Sequence, residues 1–146
     1  MAIEIVPCRL SHIRQAAALL PREEIAECAA LGVKPRHILY DNWRRTPEPR
    51  AALANGRVLA VGGEAAGVIA TTSEVWLFTT IFVDSMPISF VRALRTEIDR
   101  VLATRGEIRA MAHASCERSC RLLTMLGAEC KPAAMPGFVD LILRSD

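Results

Sequence analysis

Two side chains in this sequence are placed to move a proton, and three cysteines lie near one of them. Glu74 stands at the head of an apolar run over residues 75–80, and His113 at the end of a shorter one over 108–112. A positioned carboxylate or imidazole is the usual general base. Each also has a plainer reading, Glu74 as the turn carboxylate of a Thr-Ser-Glu stretch and His113 as the neighbour of a helix cap. The spacing His113-x2-Cys116-x3-Cys120, with Cys130 further on, could gather soft zinc ligands. It has no CxxC pair, and cysteine commonly packs as a small buried hydrophobe, so no metal is expected. Cys116 and Cys120 lie one turn apart, as buried residues of one helix face would. A thiolate nucleophile there would need a base, and none is in view. Trp76 reads as core.

The elements that hold these residues follow from periodicity. Ile3 and Ile5 alternate with Glu4 as a first strand ending at Pro7. Ser11 can cap a helix carrying Ile13, Ala17 and Leu20, and Pro21 breaks it. A second helix uses Ile25, Cys28 and Ala29 and ends at Leu31–Gly32; a third runs from Pro35 through Trp43 to the stop at Pro47. From Ala51 the period changes. Asn55–Gly56 is a strong hairpin signal, because a tight turn needs positive φ at both central positions. Gly62–Gly63 reads as a second turn, and Gly67 as the start of a β-branched stretch over 68–72.

The run over 75–80 lacks alternation, which predicts a central strand covered on both faces. Asp84 or Ser85 then caps a long helix with Pro87 in its first turn. Its stripe is Ile88, Val91, Leu94, Ile98, Val101 and Leu102, and Arg105–Gly106 ends it. A strand to His113, a helix closed by Leu122, Leu123, Leu126 and Gly127, and a strand over 139–144 complete the order. The expected class is α/β in the broad sense, an α+β mixed sheet. It is central and mostly antiparallel, with helices on both faces, in one domain over residues 1–146.

Composition excludes several functions. A net charge of +2 is too small to argue for nucleic acid, and the basic patch Arg36, Arg44, Arg45 and Arg50 carries Asp41 and Glu48 within it. Five cysteines, an odd count, argue against a disulfide framework. Residues are 51% apolar, yet no run reaches the roughly 18 needed to span a membrane. The opening MAIEIVPCRLSH lacks the pattern of a signal peptide, so a reducing cytoplasm is the expected place of synthesis.

The element order, with Leu122-Leu123-Thr124-Met125-Leu126-Gly127-Ala128 in its late helix, resembles the GNAT acyltransferases. Within them it is similar to a branch found in tailed phages, including internal virion proteins of short-tailed phages. The residues carrying that likeness are 30–35 (ALGVKP), 59–63 (LAVGG), 75–80 (VWLFTT) and 120–128 (CRLLTMLGA). The resemblance implies acetyl-CoA held on a Gly-rich loop, Q/R-x-x-G-x-G/A, whose amides meet the pyrophosphate at a helix N-terminus. Here that span, residues 79–87, has no Gly, carries Asp84, and ends in Pro87, which has no N–H. Only the hydroxyls of Thr79, Thr80 and Ser85 are left to compensate.

The family's late helix reads N-x-x-A-x-x-L-Y-x-x-x-G-F. Cys116, Ser119, Leu123 and Ala128 stand at its Asn, Ala, Tyr and Phe positions, and leucine has no proton to give a departing thiolate. Tyr40, the one tyrosine, lies in an early helix. The expectation is a GNAT-fold protein of phage origin with a degenerate site and no cofactor, made in the bacterial host cytoplasm and carried in the virion. It would contact portal, tail or internal proteins, or itself, through Ile25, Leu31, Ile38, Leu39, Tyr40 and Trp43 of the broken helices. The alternative is an active N-acetyltransferase using acetyl-CoA, with Glu74 or His113 as base. A host-inhibitor or toxin-neutralising module is a third class.

Overall fold

The computed structural model describes residues 2–65 and 72–145. In chain order the elements are β1 (Glu4–Pro7), α1 (Leu10–Ala18), α2 (Arg22–Ala30), α3 (Pro35–Arg45), β2 (Arg50–Ala54), β3 (Arg57–Glu64) and β4 (Thr72–Thr79). A 3-10 turn (Ile81–Ser85) leads to α4 (Pro87–Arg105), β5 (Glu107–His113), α5 (Glu117–Met125), β6 (Glu129–Pro132) and β7 (Phe138–Arg144). The seven strands make one mixed sheet in the order β1-β2-β3-β4-β5-β7-β6. Every neighbouring pair is antiparallel except β4 and β5, which run parallel.

That one parallel pair determines the shape of the sheet. β4 and β5 are in register only from Thr72 opposite Glu107 to Glu74 opposite Arg109. Beyond Glu74 the two strands part, β4 staying with β3 as far as Thr79 and β5 with β7 as far as His113. A wedge-shaped gap therefore opens between two half-sheets, widening toward the strands' C-terminal ends.

Helices close both faces. Ile13 and Ala16 of α1, Cys28 of α2 and Leu39 of α3 pack on Val58, Val61 and Phe78. On the other face, Phe90 of α4 meets Ala52, Leu59 and Ala60. Val101, lower on the same helix, meets Ile108, Leu126 and Leu143. Burying a side chain the size of Phe90 stabilises by roughly 2–3 kcal/mol. The first member of the α4 stripe, Ile88, is 70% exposed, because Phe90, two residues on, takes the sheet-facing side of the first turn.

Several sequence expectations need correction. Gly62 and Gly63 make no turn: β3 runs straight through them. A Cβ on Gly62 would sit 2.6 Å from the Trp76 carbonyl, and one on Gly63 2.7 Å from the Thr46 methyl, so close approach is what demands glycine there. The short, wholly exposed β6 carried no apolar signal and was not expected. Arg9, not Ser11, stands at the head of α1, and Met86, not Asp84 or Ser85, at the head of α4. β4 is central, as its composition implied, but only its end (Phe78 and Thr79) is buried, Val75, Trp76 and Leu77 being half-covered. The stretch expected over 68–72 lies mostly outside the described residues. The Asn55–Gly56 turn forms as expected, with φ of 51° and 74°.

The broken helices offer less surface than expected. Leu39 is fully buried, Ile38 packs on the core, and the Trp43 indole N–H donates to the Cys8 carbonyl at 2.8 Å. Of the six residues named for docking, Ile25 and Tyr40 are exposed. Among the described residues, no helix is long and apolar enough to cross a membrane.

Candidate functional site

A strand pair that parts leaves backbone donors without ladder partners, and buried donors must find others. Here side chains supply them. The Thr79 amide, at the end of β4, donates to Glu24 Oε1 at 3.0 Å, and the Thr79 hydroxyl donates to the same oxygen at 3.2 Å. Across the gap, the His113 amide at the end of β5 donates to Glu27 Oε2 at 3.0 Å. Both carboxylates come from α2, three residues apart and so on neighbouring positions of its surface. One short helix is thereby bonded to both arms of the wedge.

Arg118 spans the same opening from the first turn of α5. Its guanidinium donates to Asp84 at 2.6 Å and, at 3.4 Å each, to the Thr79 hydroxyl and the Thr80 carbonyl. Glu24, Glu27, Thr79, Asp84 and Arg118, with Glu74, Leu123 and Phe78, line a cavity of about 430 Å³ in the wedge. Four carboxylates and one guanidinium border it, a balance that repels polyanions.

Glu24 is the unusual member. It is 4% exposed, and its second oxygen, Oε2, has no partner among the described residues. Burial pushes its pKa up to about 7, against the opposing pull of the two Thr79 hydrogen bonds and the Arg118 charge. A carboxyl that titrates near neutrality can exchange a proton at physiological pH.

The residues singled out from sequence do not come together. Glu74 is exposed at the cavity's edge, opposite Arg109, while His113 lies four residues further along β5, about 13 Å away along the strand. The His113 Nδ1 accepts the Ser115 amide at 3.2 Å and sits 2.6 Å from the Ser115 hydroxyl, so that nitrogen serves the turn into α5. Thr80 is fully buried, donating to the Val58 carbonyl at 2.7 Å and accepting the Phe82 amide. The Ser85 hydroxyl donates to the Phe82 carbonyl at 2.8 Å. The Thr79 hydroxyl is held by Glu24 and Arg118. All three hydroxyls considered for a phosphate are spoken for within the chain.

The loop amides are likewise turned inward. Those of Ile81, Phe82, Val83 and Met86 donate to the Leu19 carbonyl, the Thr80 hydroxyl, the Thr80 carbonyl and the Val83 carbonyl. Cysteine chemistry is muted. Burial raises the thiol pKa of Cys116 and Cys120, and takes Cys8 to about 12 and Cys28 to about 11. Among the described residues, no group of three or more His, Cys, Asp or Glu is arranged to hold a metal.

Trp76, expected in the core, is half-covered and packs against the edge of the α1–α3 core. Its indole N–H donates to the Thr46 hydroxyl at 2.7 Å, which in turn donates to the Asn42 carbonyl at 2.6 Å, fastening α3 to β4. Sequence reasoning missed Glu24, Glu27 and Arg118. A signal existed for Glu24: it precedes Cys28 by four residues and Leu31 by seven, which puts a carboxylate on the buried stripe of α2.

No protein-family model matches the chain, and no curated protein matches it either. Solved structures do. The GNAT domain of S. lividans PAT superposes with a TM-score of 0.72 at 15% identity, covering 98% of this chain and 90% of that one. The PaiA N-acetyltransferase of Thermoplasma acidophilum, solved with coenzyme A, gives 0.71 at 12% identity, covering 99% and 100%. RimL, a ribosomal L7/L12 alpha-N-protein acetyltransferase also solved with coenzyme A, gives 0.68 at 11% identity, covering 100% and 96%. At such identities the likeness is one of fold, and the fold is that of the GNAT acetyltransferases.

Proposed function

We propose that this GNAT-fold chain is a binding or assembly module and not an acetyltransferase. The observation that carries the reading is the wedge between β4 and β5, whose terminal amides are bonded to the chain's own Glu24 and Glu27. An acyl-CoA entering there would meet α2, which is bonded to the ends of both strands. Its pyrophosphate would meet Asp84 and a loop whose Ile81, Phe82, Val83 and Met86 amides are already engaged. The residues present do not suit acetyl-CoA. Leu123 at the cavity wall supplies no proton for a leaving thiolate.

Calorimetric titration with acetyl-CoA tests this. No saturable heat is expected up to about 1 mM ligand, and a micromolar dissociation constant would overturn the reading. The setting in a tailed-phage particle, among portal, tail or internal proteins, is carried by the sequence resemblance. Its test is mass spectrometry of purified particles from the encoding phage. The rival, acetyl transfer, is favoured by one observation: Glu24, a carboxyl poised near neutrality, lines the cavity. Turnover of acetyl-CoA that disappears in Glu24→Gln would establish that rival.

A further inference from the structure

α2 is held in place by unusual means. Of its nine residues only Glu24 and Cys28 are buried, and Ile25, its largest apolar side chain, is 48% exposed. Apolar packing therefore ties the helix down at one position. Its links to β4 and β5 are the two carboxylates, Glu24 on the Thr79 amide and Glu27 on the His113 amide. We propose that α2 is a proton-operated bolt across the wedge: with Glu24 neutral it lies shut against β4, and when Glu24 ionises it lifts away and opens the cavity.

The groups around Glu24 give the direction. From β4 it receives the Thr79 amide and hydroxyl; from α5 it faces Arg118 and, at the head of that helix, Cys116; from its own helix it faces Glu27 and Cys28. Arg118 favours the ionised form but is shared with Asp84 at 2.6 Å, and Glu27 opposes it. Oε2 meets none of these donors. In the shut position an ionised Glu24 keeps charge on an oxygen that is shielded from solvent and unpaired among the described residues, an unfavourable state that lifting of the helix relieves. The bolt is therefore shut at acid pH and opens as pH rises through about 7, where burial places the Glu24 proton. This deepens the reading of the wedge given above, since it sets when a ligand of any kind gains entry.

Backbone amide exchange on the intact protein tests it, with rates expressed as protection so that intrinsic base catalysis cancels. The Thr79 amide should lose about tenfold protection between pH 6 and pH 8, while the Thr80 amide, bonded to the Leu59 carbonyl, should hold steady. In Glu24→Gln the Thr79 protection should not vary with pH. A Thr79 profile that is flat in the wild type, or the same in both proteins, overturns the bolt. A second readout needs no variant: the Glu24 carboxyl carbon should titrate near pH 7 together with the Thr79 amide shift. A midpoint in the ordinary carboxylate range overturns the proposal too. No CoA enters either experiment, so a flat profile leaves the non-acetylating reading standing, and binding of acetyl-CoA leaves the exchange result standing.

Discussion

The two edges of β4 meet the same demand by different means. Toward β3 the strand is paired from Val75 through Thr79, backbone to backbone, so tightly that Gly62 is pressed against the Trp76 carbonyl. Toward β5 the pairing stops at Glu74, and beyond it Glu24 and Arg118 stand in for a neighbouring strand. Backbone pairing is indifferent to pH and to the identity of most side chains. Pairing by carboxylates depends on both. One edge is thus fixed by geometry and the other adjustable by chemistry, and the adjustable one borders the cavity.

The largest effect should come from the fixed edge. Gly62→Val puts a Cβ where 2.6 Å separates it from a backbone carbonyl, and should cost about 3 kcal/mol in denaturant unfolding. A near-neutral result would show that β3 and β4 can slide apart, and the contrast between edges would dissolve.

On the adjustable edge, the Glu24 pKa is raised on folding, so its stabilising contribution is complete below the unfolded value near 4.5. It is lost as pH climbs through about 7. Wild-type stability should fall across that window relative to Glu24→Gln, the difference growing by about 2 kcal/mol from pH 5 to pH 8. Parallel pH–stability curves for the two proteins would mean that Glu24 titrates alike folded and unfolded.

A smaller loss, about 1–2 kcal/mol, is expected of Thr46→Val, which strands the Trp76 indole N–H and breaks the link to Asn42. Trp76 emission should shift in step with the loss; an unchanged protein would mean that water replaces the hydroxyl. Least affected should be Leu123→Tyr. Leu123 is half-buried at the cavity wall, so the ring has space, and a change below about 1 kcal/mol with no acetyl transfer is expected. Transfer activity in this variant would break the comparison at its root, because the wedge would then be an acyl-CoA site lacking only an acid.

Local rules made much of the fold legible in sequence. Asn55–Gly56 needs positive φ, the α4 stripe repeats at the helical period, and Gly106 ends that helix at φ 81°. What stayed hidden was set by contacts remote in sequence. Gly62 and Gly63 looked like a turn because their reason for being glycine lies on β4 and at Thr46. β6 has four exposed residues, joined to β7 by the backbone ladder and the Glu129–Arg144 ion pair, so no apolar period marks it. The wedge residues were the hardest to see. Glu24 and Glu27 act on amides 55 and 86 residues away, and only the buried stripe of α2 hinted at the first of them.

The shortness of the β4–β5 ladder also bears on how the molecule carries load. Among the described residues, three register pairs join the half-sheet β1–β4 to the half-sheet β5–β7–β6. α4 crosses that seam on one face, placing Phe90 in the core of the first half and Val101 in the core of the second. It works as a splint over a narrow hinge. This nineteen-residue helix thus braces the opening of the wedge from the face of the sheet opposite the α1–α3 core, while α2 ties its two arms from the other.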